Sequence, residues 1–192
     1  MANEQPNLIW IDCEMTGLSL ETDALVEIAV LVTDSELNLL GDGINLVIHA
    51  TDGQLAGMND FVREMHTNSG LITEIPGGIT VADAEAKIIA YLESVATVAG
   101  KSPLAGNSVG VDRSFIDRDM PLLSKYLHYR TIDVSSVKEL ARRWYPKAYF
   151  NAPAKTGNHR ALGDIQDSIA ELAYYRSAIF IAASAQGNEE SK

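Results

Sequence analysis

The sequence predicts an α/β fold, in which one sheet combines an antiparallel part with strands that alternate with helices. Three apolar, β-branched segments come first and are joined by short links that carry Gly and Asp, which is typical of an antiparallel meander. Helical patterns then alternate with short apolar strands, as in an α/β sheet. The chain has 192 residues, of which 46% are hydrophobic and 21% are charged. This length and composition favour a single domain over residues 1–192, with its core at about 7–180.

The predicted strands are runs of apolar, β-branched and aromatic residues. The meander consists of residues 7–13, Leu25–Thr33 and 45–49, and two later strands are predicted at 103–107 and 129–134.

Helices are predicted where apolar residues recur at helical spacing. They cover residues 59–66, 80–99, 112–127, 135–144 and 160–183. The last helix is expected to turn inward Leu162, Ile165, Ile169, Leu172 and Ala173. The segment 145–157 contains two prolines and a glycine and is predicted to be a loop, and the polar tail at 185–192 is expected to fray.

Several classes of protein are disfavoured by what the sequence lacks. The single cysteine, Cys13, excludes an internal disulfide and a Cys-rich zinc site, and it suits a reducing cytoplasm. No apolar run reaches the roughly 18 residues that a membrane span needs, and the first residues do not resemble a secretory signal. Neither dinucleotide-binding nor phosphate-loop glycine motifs occur. We therefore expect a cytoplasmic protein with no membrane association.

The charge is negative overall but uneven along the chain. A formal net charge of −11 argues against a broad basic surface that grips long nucleic acid. Residues 113–160 hold ten of the fifteen Lys and Arg but four of the 26 Asp and Glu, a local charge of +6 against −17 elsewhere. An acidic body with a basic segment favours a compact anionic ligand, unless folding disperses the asymmetry.

The first strand ends in an acidic pair, Asp12 and Glu14. Side chains two residues apart on a strand point to the same face. Two carboxylates at the end of a buried strand repel each other and resist desolvation unless a cation compensates. Such oxygen ligands suit Mg²⁺ or Mn²⁺. The pair alone is weak support, because Asp-x-Glu is also common in solvated turns.

Two later aspartates and a histidine extend this pattern. Asp112 follows a short strand and a glycine-containing turn, so it could be a helix N-cap or could face a ligand at the strand end. His159 ends the Pro/Gly loop, and Asp164 lies in the early turns of the last helix. Both have ordinary alternatives, since a loop histidine is commonly a surface residue and an aspartate near a helix start compensates the helix dipole.

The order of these residues resembles the three motifs of the DEDD exonuclease superfamily, in its histidine-bearing subgroup. The matching motifs are Asp12-x-Glu14, Asp112 after the Asn-Ser-Val-Gly turn, and His159-x-Ala-x-x-Asp164. Longer stretches are similar to the oligoribonuclease family, so that the resemblance covers about residues 7–180; they are DCEMTGL at 12–18, HYRTIDVSSVKELARRWYP at 128–146 and HRALGDIQDSIAELAYYR at 159–176. Gly163 and Val111 depart from the family pattern, in which an acidic and a polar residue are expected there.

The resemblance implies a ribonuclease H-like fold, a homodimer, and a 3′→5′ exoribonuclease that cuts very short RNA to 5′-mononucleotides. It also implies two divalent ions, Mg²⁺ or Mn²⁺, held by Asp12, Glu14, Asp112 and Asp164, with Asp12 as the expected bridge. Such an ion pair activates a water and stabilises the in-line transition state. His159 is expected to take the proton of that water, which suits its unperturbed pKa of about 6.5.

Selection for short RNA requires contacts at both of its ends. Leu18 is a candidate wedge under a terminal base, with core packing as the alternative. His66 is a candidate contact to a base or sugar, with a helix-surface position as the alternative. Ser108, Arg130 and Ser135 are candidates for a 5′-phosphate site that blocks longer chains. Arginine suits phosphate through its bidentate fork, but Arg130 could equally form a surface ion pair.

Tyr129 is a further catalytic candidate, which could stack on a base or steady the reacting groups. The resemblance suggests that Tyr129 and Arg130 reach the site of the neighbouring subunit in the homodimer.

Two other functions remain open from the sequence. A proofreading or repair 3′→5′ deoxyribonuclease would use the same catalytic residues, although the acidic balance disfavours a grip on a long strand. A nucleic-acid-binding protein without catalysis would keep the fold, although all five catalytic positions hold competent residues. Chance motifs in an unrelated α/β protein are disfavoured by the similarity over nearly the whole chain.

Overall fold

Five strands form one mixed sheet in the computed structural model, which describes residues 5–95, 97–154 and 160–180. The strands are β1 (Leu8–Met15), β2 (Leu25–Thr33), β3 (Ile44–Val47), β4 (Pro103–Gly106) and β5 (His128–Asp133). Their order across the sheet is β3-β2-β1-β4-β5. The pairs β1–β2 and β2–β3 are antiparallel, whereas β1–β4 and β4–β5 are parallel. The predicted α/β class with an antiparallel meander is confirmed.

Helices cover both faces of this sheet. The described helices are α1 (Asp52–Ala56), α2 (Asp60–Asn68), α3 (Leu71–Glu74), α4 (Val81–Ser94), α5 (Gly110–Asp119), α6 (Pro121–Tyr126), α7 (Val134–Trp144), α8 (Pro146–Phe150) and α9 (Ala161–Ile179), with a short 3-10 helix at Ile75–Gly77. None of these described helices is both long enough and apolar enough to cross a membrane.

The central strand β1 separates two apolar layers. Ile9 and Ile11 pack in the layer that contains side chains of α4, α5 and α6, whereas Leu8 and Trp10 pack in the layer that contains side chains of α7 and α9. This alternation follows from the period of two in a strand. All nine residues of β2 are buried, which explains why its sequence reads as a continuous apolar run.

The segment between β3 and α4 is more helical than the sequence suggests. One short helix at 59–66 is predicted, and the structure forms it as α2 but adds α1 and α3 on either side. Thr51 makes a capping box with Gln54 at the start of α1, and Asn59 caps α2 by accepting a hydrogen bond from Val62 N. Buried Leu71 and Ile75 pack this segment against β2, which places α2 beside the end of β1.

The single helix predicted at 112–127 is two helices, α5 and α6, which meet at Met120. Pro121 lacks a backbone N–H and disfavours the helical conformation of the residue before it, and Met120 accordingly leaves the helical region with φ −129° and ψ 68°. The buried carboxylate of Glu85 in α4 accepts hydrogen bonds from Leu122 N and Leu123 N at 2.6 and 3.0 Å. A side chain from another helix thus caps α6.

The predicted loop at 145–157 contains α8, which begins at Pro146. Proline suits the first position of a helix, because its missing N–H needs no partner there. The glycine that would end this loop, Gly157, lies outside the described residues.

Two other helices end before the predicted boundary. The helix predicted at 80–99 ends at Ser94, and α9 ends at Ile179, where Phe180 is extended. Of the predicted inward residues of α9, Ile165 is buried, Leu162, Ile169 and Leu172 are half-buried, and Ala173 is exposed. The prediction for Ala173 is wrong because Ala173 lies off the buried side of α9, which is formed by Ala161, Ile165, Ser168, Glu171 and Tyr175. The tail at 185–192 lies outside the described residues.

Substituting Glu85→Ala should lower the free energy of unfolding by about 1–2 kcal/mol, because two N–H groups at the start of α6 lose their acceptor. The expected fall in Tm is about 2–4 °C per kcal/mol for a protein of this size, measured by thermal unfolding. The matched control is Glu93→Ala, at an exposed position of α4. Equal losses in both variants would contradict the capping role of Glu85.

Candidate active site

The end of β1 brings acidic side chains to the face of the sheet that α9 covers. Asp12 and Glu14 share the face of β1 on which Leu8 and Trp10 contact the α9 layer. Asp164 lies in the first turn of α9. One carboxylate oxygen from each of Asp12, Glu14 and Asp164 lies within 4.8 Å of the others. The structure therefore joins three of the four predicted carboxylates, from positions 152 residues apart in the chain.

The start of α9 is packed against the sheet. Ala161, the first residue of α9, is fully buried, and Ile165 one turn later is buried in the same layer. The backbone N–H of Asp164 donates to Arg160 O at 3.1 Å, so the first turn is already helical at the acid. The side chain of Asp164 therefore projects from a fixed helical turn.

Asp112 lies next to this group but is held by a different contact. Its Oδ1 accepts a hydrogen bond from Cys13 N at 2.9 Å, which ties α5 to β1 between the two acids of the strand. Asp112 is not the N-cap that the sequence allows, because α5 already begins at Gly110. It is instead a buried residue of the first turn.

Burial, with neighbouring carboxylates, raises the pKa values of Glu14 and Asp112. Burial, with the Asp164, Glu27 and Asp112 carboxylates, raises the pKa of Glu14 to about 8, and the Arg160 charge partly opposes this shift. Burial also raises the pKa of Asp112 to about 6, against the hydrogen bond from Cys13. Burial and the neighbouring acids likewise raise the pKa of the Cys13 thiol.

His66 is buried beneath the acidic group, so the helix-surface alternative is wrong. Its Nε2 lies 2.9 Å from Met15 O, and its Nδ1 lies 3.9 Å from Glu14 Oε2. Nδ1 has no hydrogen-bond partner among the described residues. A fully buried ring cannot stack on a base in this conformation, and His66 contacts the site through Glu14.

Sequence reasoning missed Glu27, which lies opposite Glu14 in the β1–β2 register. Glu27 is fully buried and pairs with Arg160, whose Nη2 lies 2.7 Å from Glu27 Oε1. The available signal was an isolated acid in the apolar run LVEIAVLVT. A single charge inside a buried strand needs a partner, but the sequence does not say which one.

Two of the three predicted phosphate contacts lie together. The hydroxyl oxygens of Ser108 and Ser135 are 3.0 Å apart, and the Asp133 carboxylate accepts from the backbone N–H of both residues. Ser108 has a positive φ of 55°. Asn107 accepts a hydrogen bond from the Ser135 hydroxyl at 3.0 Å and donates to Ser168 in α9 at 2.8 Å. Asn107 and Asp133 were not singled out from the sequence.

Tyr129 and Arg130 project from β5, at the edge of the sheet. The Tyr129 side chain is 76% exposed, and the Arg130 guanidinium lies 5.4 Å from the centre of its ring. Arg130 thus contacts an aromatic ring, and among the described residues it forms no ion pair of the kind that the surface-ion-pair alternative requires.

Leu18 stands at the tip of a braced loop after β1, and its 74% exposure excludes the core-packing alternative. Asp23 accepts hydrogen bonds from the Thr16 hydroxyl and from Ser19 N across this loop. A Cβ at Gly17 would lie 2.4 Å from the Asp23 carboxylate, so a side chain there would displace the brace. The predicted general base, His159, lies outside the described residues.

The arrangement of Asp12, Glu14 and Asp164 fits a divalent cation. Three carboxylates converge in a partly buried group, and burial together with the neighbouring carboxylates raises the pKa of Glu14. Hard oxygen donors are the ligands that Mg²⁺ and Mn²⁺ prefer. Bound cations would remove the repulsion that the fold creates.

Solved structures with this architecture include exonuclease I of E. coli. The zinc-bound form of the E. coli ExoI–ssDNA complex has a TM-score of 0.70 at 17% identity and covers 91% of this chain. Apo exonuclease I has a TM-score of 0.67 at 18% identity and covers 90%. This chain spans only 41% and 42% of those proteins, respectively. The likeness confirms the ribonuclease H-like fold and, at this identity, the fold alone.

Sequence comparisons are more specific. The chain matches the RNase_T family, described as an exonuclease family, over residues 9–172. It is 60% identical over 185 residues to the oligoribonuclease of Streptomyces griseus, which covers 96% of this chain and 92% of that protein. It is 55% identical over 192 residues to the oligoribonuclease of Leifsonia xyli subsp. xyli, which covers 100% and 93%, respectively. The chain therefore belongs to the RNase_T exonuclease family, in its oligoribonuclease branch.

Proposed function

We propose that this chain is a metal-dependent 3′→5′ exoribonuclease that hydrolyses RNA of two to a few nucleotides to 5′-mononucleotides. The observation that carries the proposal is the convergence of Asp12, Glu14 and Asp164 at the end of β1. The relatives named oligoribonuclease support the substrate class, because they match nearly the full length of this chain. The family match over residues 9–172 also supports one exonuclease domain, and the free Cys13 agrees with a cytoplasmic location.

The proposed metal ligands are Asp12, Glu14, Asp112 and Asp164, with two Mg²⁺ or Mn²⁺ ions. Bound divalent ions lower the pKa of water and stabilise negative charge on a phosphate in the transition state. The chain supplies a rigid set of oxygens: Asp12 and Glu14 come from a central strand, and Asp164 from a helix packed on it. Asp112 is oriented by its bond to Cys13 N.

His159 is the proposed general base, which accepts the proton of the attacking water. Its neighbour in the sequence is Arg160, whose guanidinium is bonded to the buried Glu27. The sequence predicts His159 at the end of a loop, from which we propose that it approaches the water when substrate binds. An imidazole with a pKa near neutrality suits this role.

Two features support selection for short RNA. The Ser108 and Ser135 hydroxyls, 3.0 Å apart, form a pair of donors that could hold a terminal 5′ phosphate together with Arg130. At the other end, exposed Leu18 is proposed to wedge against a base. A phosphate site at a fixed distance from the acids would leave no path for a longer chain. His66 remains a proposed substrate contact only if its ring moves out of its buried position.

A homodimer is proposed to complete each site. Tyr129 and Arg130 are exposed side by side on the edge strand β5. Ser135 is connected through Asn107 and Ser168 to α9, the helix of its own chain that carries Asp164. Exposed aromatic and arginine side chains are typical of interfaces. We propose that Tyr129 and Arg130 act on the RNA held by the partner subunit.

Substituting Asp12→Ala or Asp164→Ala should abolish hydrolysis of an RNA dinucleotide, because each removes a metal ligand, and a chelator should have the same effect. His159→Ala should slow turnover by a factor on the order of 10²–10⁴, the range of a lost general base. Release of mononucleotides with Mn²⁺ is the measurement, and Asp52→Ala, an exposed acid in α1, is the control. Near-normal turnover by Asp12→Ala would falsify the metal interpretation.

The same assay distinguishes the substrate classes. Turnover of RNA and DNA strands from two to about 20 nucleotides should fall steeply with length and favour RNA. Equal turnover of a long DNA strand would support the alternative, a proofreading or repair deoxyribonuclease.

Substituting Arg130→Ala should slow the hydrolysis of a 5′-phosphorylated dinucleotide far more than the hydrolysis of an unphosphorylated phosphodiester, because the lost charge faces only the terminal phosphate. The control is Arg176→Ala, which removes an exposed arginine from α9. Equal slowing of the hydrolysis of both substrates would contradict the phosphate site.

Mixing Arg130→Ala with Asp12→Ala protein should restore activity, since one site of each mixed dimer is then complete.

Glu14→Gln should stabilise the metal-free protein at pH 8 while abolishing activity. The pKa of Glu14 is raised to about 8 in the folded protein from an ordinary value of 4.5, so the folded state binds the extra proton. Wild-type stability is therefore lost as the pH rises from about 4.5 to about 8. A Tm gain of at least about 2–4 °C is expected at pH 8, shrinking towards pH 4.5. A constant difference across this range would contradict the repulsion described above.

A further inference from the structure

A buried acid lies behind the site and joins three elements. Glu27 is at full burial in β2, on the face that α9 covers. Its carboxylate accepts hydrogen bonds from Arg160 Nε and Nη2 at 3.0 and 2.7 Å, from Ala161 N at 3.2 Å, and from Asn45 Nδ2 at 2.9 Å. A carboxylate removed from water is tolerated when it is paired and fully hydrogen-bonded, and these donors meet that requirement.

Glu27 takes the place of a helix cap for α9. The residue at the N-cap position, Arg160, makes no side-chain cap bond, and the N–H of Ala161 donates to Glu27 instead. A carboxylate at a helix start satisfies a free N–H and favours the positive end of the helix dipole. The first N–H group of α9 is therefore bonded to a side chain of β2 instead of to the side chain of its own N-cap residue.

Arg160 also connects the start of α9 to α3. Its Nη1 donates to Glu74 Oε1 in α3 at 2.8 Å, so that one guanidinium bridges a buried and an exposed acid. The Arg160 carbonyl accepts the hydrogen bond of Asp164 N. The residue paired with Glu27 therefore lies one helical turn from Asp164, while Glu27 itself lies opposite Glu14.

We propose that Glu27 and Arg160 are positioning residues, which hold the first turn of α9 on the sheet so that Asp164 stays with Glu14 in the group that binds metal. The inference rests on the proposed function of that group as a metal site. The positive charge of Arg160 also keeps the Glu27 charge from adding in full to the acids beside it. Neither residue needs to touch the metal or the RNA.

Arg160→Gln and Glu27→Gln should each weaken Mn²⁺ binding by roughly 10–100-fold, the usual effect of losing a residue that orients metal ligands. Calorimetry of Mn²⁺ binding to the full chain without RNA is the primary measurement. The kcat for a 5′-phosphorylated RNA dinucleotide at saturating Mn²⁺ should fall, while KM stays within about threefold, because the phosphate site is intact. A fall in thermal stability with unchanged Mn²⁺ affinity would overturn the proposal.

Two matched controls separate positioning from the loss of an ion pair. Glu74→Gln removes the exposed partner of the same arginine and should change Mn²⁺ affinity by less than about fivefold, because an exposed pair contributes little. Arg176→Gln removes an exposed arginine of the same helix, which pairs with Glu36, and should have no effect. An effect of Glu74→Gln as large as that of Glu27→Gln would also overturn the proposal.

The double variant Glu27→Gln with Arg160→Gln addresses folding. Replacing both charges removes the unpaired buried carboxylate that Arg160→Gln alone leaves. The double variant should regain most of the lost Tm while its Mn²⁺ affinity stays low. Recovery of wild-type affinity would contradict the proposal. If wild-type protein binds Mn²⁺ but does not cleave short RNA, the proposed substrate is wrong, and the positioning role is still decided by the metal affinities.

Discussion

Repulsion among partly buried carboxylates is the constraint on which the rest of this structure depends. Asp12, Glu14 and Asp164 converge within 4.8 Å, and Asp112 lies one hydrogen bond away through Cys13. Carboxylates this close resist ionisation together, and burial together with the neighbouring acids raises the pKa of Glu14. A fold that keeps such an arrangement gives up stability in the metal-free state. The natural compensation is a divalent cation, which connects the electrostatics of the site with the exonuclease family to which the chain belongs.

The sheet makes this convergence possible. β1 is central and is covered on both faces, so that its alternation sends one set of side chains towards α9. The buried start of α9 brings Asp164 onto the same face. The Glu27–Arg160 ion pair joins the start of that helix to β2. The polar contacts of Asn107 then extend from the Ser135 hydroxyl to Ser168. The candidate metal ligands and the candidate phosphate donors therefore share one scaffold of buried strands and one helix.

Local patterns were sufficient for most of the fold. The apolar run of β2 predicts its limits without error, because a strand buried on both faces has a continuous signal. Patterns were insufficient where one residue interrupts a helix or begins one unexpectedly. Pro121 divides a segment whose apolar spacing is helical throughout, and Pro146 starts α8 inside an apparent loop. The burial of His66 under Glu14 was also not predictable, because it depends on how the α1–α3 segment packs on β2.

The sequence by itself determined the order of the strands along the chain, the acids at the end of β1 and at the start of α9, and the family. Local periodicity and motif spacing are sufficient to predict these features. Only the tertiary structure decided which charges meet. Glu27 and Arg160 are 133 residues apart, and no local pattern links them. Their pairing arises because the β1–β2 register and the packing of α9 bring the two side chains together. Short-range patterns encode elements, whereas electrostatic partners are chosen by long-range packing.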